Sequence, residues 1–119
     1  MATPQSNFPT GITSQVVGTA PATATAIAVT QSASFQFAIA AAETNTLASP
    51  LFLGQEISLN VATLTGGGSR VVTCATAVNQ AGNTILTFGA VADCCILRAV
   101  LKGTDLRWIL EFNDGVALS

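Results

Sequence analysis

The chain contains no histidine and no tyrosine, and charged residues make up only 8% of its 119 residues. Histidine is the side chain most often used for acid–base catalysis near neutral pH, so its absence removes the commonest catalytic group. Of the six acidic residues, Asp93, Asp105 and Asp114 stand in or beside predicted turns, where aspartate is expected for backbone hydrogen bonding alone. Nothing in the spacing of the acids indicates a carboxylate pair, so the sequence predicts no catalytic residue and no enzyme.

Positive charge is scarce as well, with four Lys and Arg residues against six Asp and Glu residues and a formal net charge of −2. A nucleic-acid-binding surface needs a patch of basic side chains to neutralise phosphates, and four scattered cations do not form one. Nucleic acid is therefore excluded as a predicted partner. Such a surface is either neutral and coated with hydroxyl groups or covered by other subunits. We favour covering by other subunits, and a trimer would hide about a quarter of the surface of each chain.

Long apolar runs are also missing, although the mean hydropathy is +0.57. The apolar residues come in short stretches, such as residues 38–42 and 94–97, far below the ~20 residues that cross a bilayer. The first residues show neither a cationic start nor a continuous apolar stretch, so no signal peptide is visible. We expect no membrane partner, and we expect synthesis in a cytoplasm.

The three cysteines, Cys74, Cys94 and Cys95, are an odd number, and two of them are adjacent. Neighbouring residues of a strand point to opposite faces, so Cys94 and Cys95 cannot both reach one metal ion without distortion. The cysteines are predicted to be small buried apolar side chains in a reducing compartment. No metal and no cofactor is predicted.

The sequence does contain repeated alternation of apolar and polar residues, which is typical of half-buried strands. The alternation is clearest at residues 35–39, 57–61 and 106–112, and turns that contain Gly or Asn separate the strands. Four further strand segments are predicted at residues 23–30, 70–76, 84–88 and 95–102. Helix propensity is high only at residues 38–43, a stretch too short for a stable helix.

Strands that recur every 8–12 residues predict an all-β domain, an antiparallel sandwich or barrel of the jelly-roll or tulip-like kind. Residues 1–15 are polar and interrupted by Pro4, Pro9 and Gly11, so they are predicted to form an extended N-terminal arm. Residues 16–119 are predicted to form the single β domain. The chain is too short for two domains with separate cores.

Several predicted strands carry apolar residues on both faces, because Ile85 is next to Leu86 and Ile109 is next to Trp108. A strand that is apolar on both sides is stable only if both of its faces are buried away from water. In so small a domain one face packs on the core, and the other is predicted to form a contact between subunits. We therefore expect an oligomer whose interface includes Ile85, Phe88 and Ile109.

Two features could indicate a ligand site, and each has a simpler interpretation. Residues 66–69 form a glycine-rich stretch, but a phosphate-binding loop needs a following helix and usually a lysine, so a flexible hairpin turn is predicted instead. Trp108 could stack on a sugar ring. It lies on the predicted apolar stripe with Leu106, Leu110 and Phe112, so core packing is the favoured interpretation.

Residues 50–112 resemble small virion proteins of tailed bacteriophages, particularly capsid decoration (cement) and head-fibre proteins. The resemblance rests on a Leu-Gly step before a strand, a glycine-rich turn, a strand of the Gly-x-Thr-Ile-x-Phe type, an Ala-x-Asp-like step and a final hairpin with a tryptophan. In this chain those features are Leu53-Gly54, residues 66–68, residues 82–88, Ala92-Asp93 and Trp108. The adjacent Cys94 and Cys95 are not expected of the group.

The resemblance implies a β-rich homotrimer on the outside of an icosahedral capsid, where it clamps neighbouring major capsid proteins against the pressure of packaged DNA. The expected location is the exterior of the virion. The N-terminal arm would pair with capsid elements as an added strand. The expected capsid contacts are Thr3, Pro4, Phe8, Pro9 and Ile12.

The alternative function is a receptor- or glycan-binding module of a head fibre or tail fibre. Such a module shares the fold and the trimer that the resemblance implies. It differs in that it needs an exposed aromatic residue and a polar pocket.

Overall fold

The computed structural model describes residues 16–17 and 22–119, and these residues form ten strands and no helix. The strands are β1 (Val16–Val17), β2 (Thr25–Ala26), β3 (Ala33–Ile39), β4 (Glu43–Leu47), β5 (Glu56–Leu64), β6 (Arg70–Cys74), β7 (Ile85–Phe88), β8 (Cys94–Lys102), β9 (Asp105–Asp114) and β10 (Ala117–Leu118). The predicted all-β class is confirmed. The stretch of high helix propensity at residues 38–43 contains the end of β3, a turn and the start of β4.

The strands form two five-stranded sheets that pack face to face as a sandwich. Sheet 1 has the order β1-β3-β5-β8-β9, and sheet 2 has the order β10-β7-β6-β4-β2. The predicted sandwich is confirmed, and the described strands do not close into a barrel. Alternate residues of the long strands point into a core whose fully buried side chains include Phe37, Ile57, Leu59, Leu86 and Leu97.

The first six strands alternate between the sheets, so the chain winds as a flattened spiral. Consecutive strands within each sheet therefore run parallel, as in the pairs β1–β3, β3–β5, β2–β4 and β4–β6. The other four pairs, β5–β8, β8–β9, β6–β7 and β7–β10, are antiparallel. The sheets are mixed, so the antiparallel prediction is wrong for the spiral. Alternation shows which side of a strand is buried and carries no information on strand direction.

The turns of successive windings lie directly against each other. The backbone N–H of Thr65 donates to Ile39 O at 2.9 Å, and that of Glu43 donates to Ser69 O at 2.9 Å. A Cβ atom added at Gly68 would lie 2.2 Å from the backbone carbonyl of Ala41, so only glycine fits there without a shift. The prediction of a hairpin turn at residues 66–69 is wrong: β5 and β6 do not pair, and these residues carry the chain from sheet 1 to sheet 2.

One arginine lies inside the sandwich. Arg70 of β6 is 2% exposed, and its guanidinium pairs with Glu43 and donates to the Asn45 side-chain carbonyl. The same guanidinium lies 4.8 Å from the centroid of the Phe37 ring, which belongs to the opposite sheet. The ring of Phe37 meets that of Phe88 edge-on at 5.2 Å. The buried charge thus has an ionic, a hydrogen-bonding and an aromatic partner.

The long connection between β6 and β7 crosses from sheet 2 to cover the outer edge of β9. The N–H of Leu110 donates to Val78 O at 2.8 Å, and Val78 is fully buried. Two hydrogen bonds between Asn79 and Asn83 stiffen this connection: Asn83 N–H to Asn79 Oδ1 at 3.0 Å, and Asn79 Nδ2 to Asn83 Oδ1 at 2.9 Å. The connection therefore satisfies one backbone donor on the edge strand β9.

Replacing Arg70 with Met is expected to lower the free energy of unfolding by about 3–5 kcal/mol, because Glu43 and Asn45 would lose a buried partner. Arg98→Met is the matched control, since Arg98 pairs with Glu111 at the surface and is half-exposed. That change should cost less than about 1 kcal/mol. Urea unfolding of both variants at one protein concentration measures the difference. Equal losses would contradict the structural importance of the buried pair.

Gly68→Ala is expected to destabilise the fold by about 1–3 kcal/mol, because the added methyl group meets the backbone of the neighbouring winding. Gly67→Ala provides the control, since no atom lies within 4 Å of a Cβ added at Gly67. Thermal or urea unfolding of the two variants tests whether the windings are in contact. A stability loss as large in Gly67→Ala would show that chain stiffness, rather than close approach, explains the effect.

Candidate interaction surface

The predicted capsid contacts lie outside the described residues. They are Thr3, Pro4, Phe8, Pro9 and Ile12, all within residues 1–15. They remain predictions, as does the assignment of residues 1–15 to an arm.

The structure separates the three residues predicted to form a subunit interface. Ile85 of β7 is half-buried on the outer face of sheet 2, whereas Ile109 of β9 is half-buried on the outer face of sheet 1. Phe88 is fully buried against Phe37, so its assignment to an interface is wrong. The physical reason is strand periodicity: residues 85 and 88 are an odd number of positions apart and point to opposite faces.

Trp108 is a core residue, as predicted. It is 2% exposed, and its indole N–H donates to Ala48 O at 2.8 Å. Phe112 does not share its face, however, and is 48% exposed. Leu97 pairs with Leu110 and Ile96 pairs with Phe112, so one extra residue of β9 forms a β-bulge that turns Phe112 outward.

Four large apolar side chains are exposed at one end of sheet 1. Leu51, Phe52 and Leu53 lie in the loop before β5 and are 59%, 46% and 60% exposed, and Leu101 near the end of β8 is 54% exposed. Leu101 is two residues from Ala99, to which this loop is hydrogen-bonded. We call these four residues the apolar tip. None of them carries charge, and exposed apolar groups of this size mark interaction sites.

A fully buried carboxamide holds the loop of the apolar tip in place. Gln55 is 0% exposed; its Oε1 accepts from Leu51 N–H at 2.8 Å, and its Nε2 donates to Val29 O at 2.8 Å. The backbone of the loop is joined to β8 by bonds from Gly54 N–H to Ala99 O at 3.1 Å and from Ala99 N–H to Gln55 O at 2.8 Å. Gly54 has a φ of +82°, which few other residues adopt. The loop is therefore preorganised although its side chains are exposed.

The exposed apolar side chains of residues 51–53 are not predicted by the strand pattern. The sequence does carry a signal, since three consecutive large apolar residues stand between Pro50 and Gly54, in a segment where a loop is expected. An apolar run in a loop indicates contact with something other than water. The role of Gln55 has no such signal, because nothing in the sequence shows that its amide is buried.

The outer face of sheet 2 is a second uncharged surface. Its outward residues on the three central strands are Thr44, Thr46, Val71, Thr73, Ile85 and Thr87. Charges are more frequent on the outer face of sheet 1, where Arg98 pairs with Glu111. The two outer faces of the sandwich therefore differ in charge.

Among residues 16–17 and 22–119, no group of three or more His, Cys, Asp or Glu side chains is placed to hold a metal ion. The same residues contain no helix long and apolar enough to cross a membrane.

The three cysteines are free thiols in different environments. Cys74 and Cys95 are 4% and 1% exposed in the core, and burial raises their pKa values to about 11 and about 12, respectively. Cys94 is half-buried and points to the opposite face from Cys95. The prediction of buried apolar side chains is confirmed for Cys74 and Cys95.

No protein-family model matches the chain, and no curated protein matches it either.

In the folded protein we expect one thiol, that of Cys94, to react with a disulfide reagent at pH 8, and all three to react after denaturation. Cys74 and Cys95 should be protected because they are buried and their folded pKa values are raised. Three equal native reaction rates would contradict their burial.

The raised pKa values of Cys74 and Cys95 also affect stability: their contribution to the free energy of unfolding is fully present below the unfolded pKa of 9.0 and is lost as pH rises from 9 toward about 11 and 12.

Proposed function

We propose that this chain is a structural protein of a bacteriophage head, a decoration protein that binds the outer surface of the capsid as a homotrimer. Its partners in this proposal are other copies of itself and the major capsid protein. The observation that carries the proposal is the apolar tip, which presents Leu51, Phe52, Leu53 and Leu101 at one end of sheet 1. The resemblance of residues 50–112 to phage decoration proteins supplies the identity of the partner.

The tip has the properties of a docking surface rather than of a loop in solution. Its side chains are apolar and about half-exposed, while Gln55 and Gly54 fix the backbone that carries them. A surface that is already ordered loses little conformational entropy when it binds. Burying several Leu and Phe side chains on a partner contributes roughly 1.5–3 kcal/mol for each one fully buried.

The trimer in this proposal uses the two outer faces of the sandwich. Ile85 and Ile109 lie on the outer faces of different sheets. A symmetric contact in which Ile85 meets Ile85 of the neighbouring subunit would therefore leave Ile109 outside the interface. A contact between the sheet 2 face of one subunit and the sheet 1 face of the next is heterologous, and such a contact closes into a ring when the rotation allows it. The uncharged outer face of sheet 2 supports this arrangement, because no ion needs to be desolvated there.

The function proposed here is mechanical. Each trimer would contribute a modest binding free energy to its capsid subunits, and the symmetry of a shell multiplies that contribution over many sites. The proposal requires no catalytic residue and no cofactor. It requires only that the sandwich be rigid and that the apolar tip remain accessible.

The alternative is a receptor- or glycan-binding module of a head fibre or tail fibre. Trp108 does not support a sugar-stacking platform, because its ring is buried and its N–H is bonded to Ala48. A cleft beside the β8–β9 hairpin is the feature that favours this alternative.

Light scattering after size exclusion is the first test of the proposal. We expect a mass of about 36 kDa, three times the 12.0 kDa of the chain, and co-sedimentation of this species with capsids that lack the protein. Leu53→Asp should keep the trimer and abolish co-sedimentation, because a charge would be buried at the docking surface. Leu53→Met, which keeps an apolar side chain at the same position, should bind as the unmodified chain does.

Ile109→Asp should break the trimer contact and give a folded monomer with unchanged far-ultraviolet circular dichroism. If the Ile109→Asp variant is still a trimer, Ile109 does not lie at the subunit interface. If Leu53→Asp co-sediments with capsids as well as the unmodified chain does, the apolar tip does not contact the capsid. A stable monomer that does not bind capsids would overturn the decoration proposal as a whole.

A further inference from the structure

A cleft of about 490 Å³ opens where the β6–β7 connection passes beside the β8–β9 hairpin. Its volume lies within the range of small-ligand sites. The cleft is lined by the β6–β7 connection and by strands β8 and β9 of sheet 1. The lining residues are Ala77, Asn79 and Gln80 from the connection, and Val100, Lys102, Arg107, Trp108 and Ile109 from the two strands. The cleft shares no residue with the apolar tip.

The cleft concentrates positive charge in a chain that has little of it. Lys102 and Arg107 are two of only four basic residues in the sequence. The other two, Arg70 and Arg98, are held in ion pairs with Glu43 and Glu111. Lys102 has no acidic group within 4.0 Å in the described part of the chain, so its charge is available to a ligand.

Arg107 is only weakly engaged by the protein. Its nearest acid is Asp105, at 3.7 Å, and the Asp105 side chain is 70% exposed, so water screens the pair. Because Asp105 holds the guanidinium only loosely, Arg107 can pair with an acidic ligand in the cleft. A carboxylate matches the planar fork of a guanidinium.

The remaining lining residues complement a hydroxylated ring. The amides of Asn79 and Gln80 can each donate and accept hydrogen bonds, as sugar hydroxyls require. The bonds between Asn79 and Asn83 hold this side of the cleft in place. Val100 and Ile109 offer apolar contact for the C–H face of a ring.

We propose that this cleft binds an acidic sugar, whose carboxylate pairs with Arg107 and Lys102 and whose hydroxyls bond to Asn79 and Gln80. The cleft shares no residue with the apolar tip, so this proposal goes beyond capsid docking. Ile109 and Arg107 lie on the outer face of sheet 1, which the proposed trimer also uses, so the two proposals hold together only if the trimer contact leaves the cleft open.

The test is an NMR titration of the isotope-labelled chain, in its solution oligomeric state, with methyl β-glucuronide. Saturable shifts are expected at the amides of residues 77–80 and 100–109. The neutral methyl β-glucoside, which carries a hydroxymethyl group in place of the carboxylate, should bind at least roughly tenfold more weakly, because it loses the charge-assisted hydrogen bonds. Acetate alone should also bind more weakly, since it lacks the hydroxyls.

Arg107→Gln should weaken glucuronide binding at least roughly tenfold while leaving the remaining amide spectrum in place, which checks the fold. Arg98→Gln is the matched control, because it removes a cation from the same sheet outside the cleft, and its affinity should be unchanged. The proposal is overturned if no saturable shifts occur, if the glucoside binds equally well, or if Arg98→Gln loses as much affinity as Arg107→Gln. Acetate binding as tight as that of glucuronide would overturn the sugar assignment.

Discussion

The guanidinium of Arg70 lies between the two sheets, where it pairs with Glu43 and faces the ring of Phe37. Glu43 and Arg70 are directly opposite each other in the parallel pair β4–β6, so the ion pair fixes the register of two successive windings. A slip of one residue would turn the charge to the other face of the sheet and leave Glu43 unpaired. The contact with Phe37 then joins this register to the opposite sheet. The flattened spiral therefore depends on one buried charge having all its partners in place.

Polar and apolar side chains have partly exchanged their usual positions in this molecule. Arg70, Asn45 and Gln55 are among the most buried residues, whereas Leu51 and Leu53 are exposed. The two facts are connected, because the buried Gln55 uses its hydrogen bonds to hold the loop that exposes the leucines. Buried polar groups that are fully bonded make a fold rigid. The rigidity of the interior is thus what allows an apolar surface to be presented without local collapse.

Much of the fold could be predicted from the sequence, because alternation reports burial directly. Strands β3, β5 and β9 and the burial of Trp108 follow from it. Strand β4 escapes prediction, since the sequence of Glu43–Leu47 is mostly polar and its inward Asn45 is buried only because it bonds within sheet 2. The outward turn of Phe112 depends on a β-bulge, which has no sequence signal. The candidate surface was still harder to predict, because strand periodicity does not describe a loop.

The β6–β7 connection also limits what can pair with the edge of sheet 1. Val78 occupies the hydrogen-bonding position beside β9 that a strand from another molecule would otherwise take. Main-chain pairing of another strand along β9 is therefore blocked at this position, and such pairing is the route by which sheet proteins propagate into open fibrils. In the capsid role proposed above, a partly covered edge would lower the tendency of free copies to polymerise before they bind.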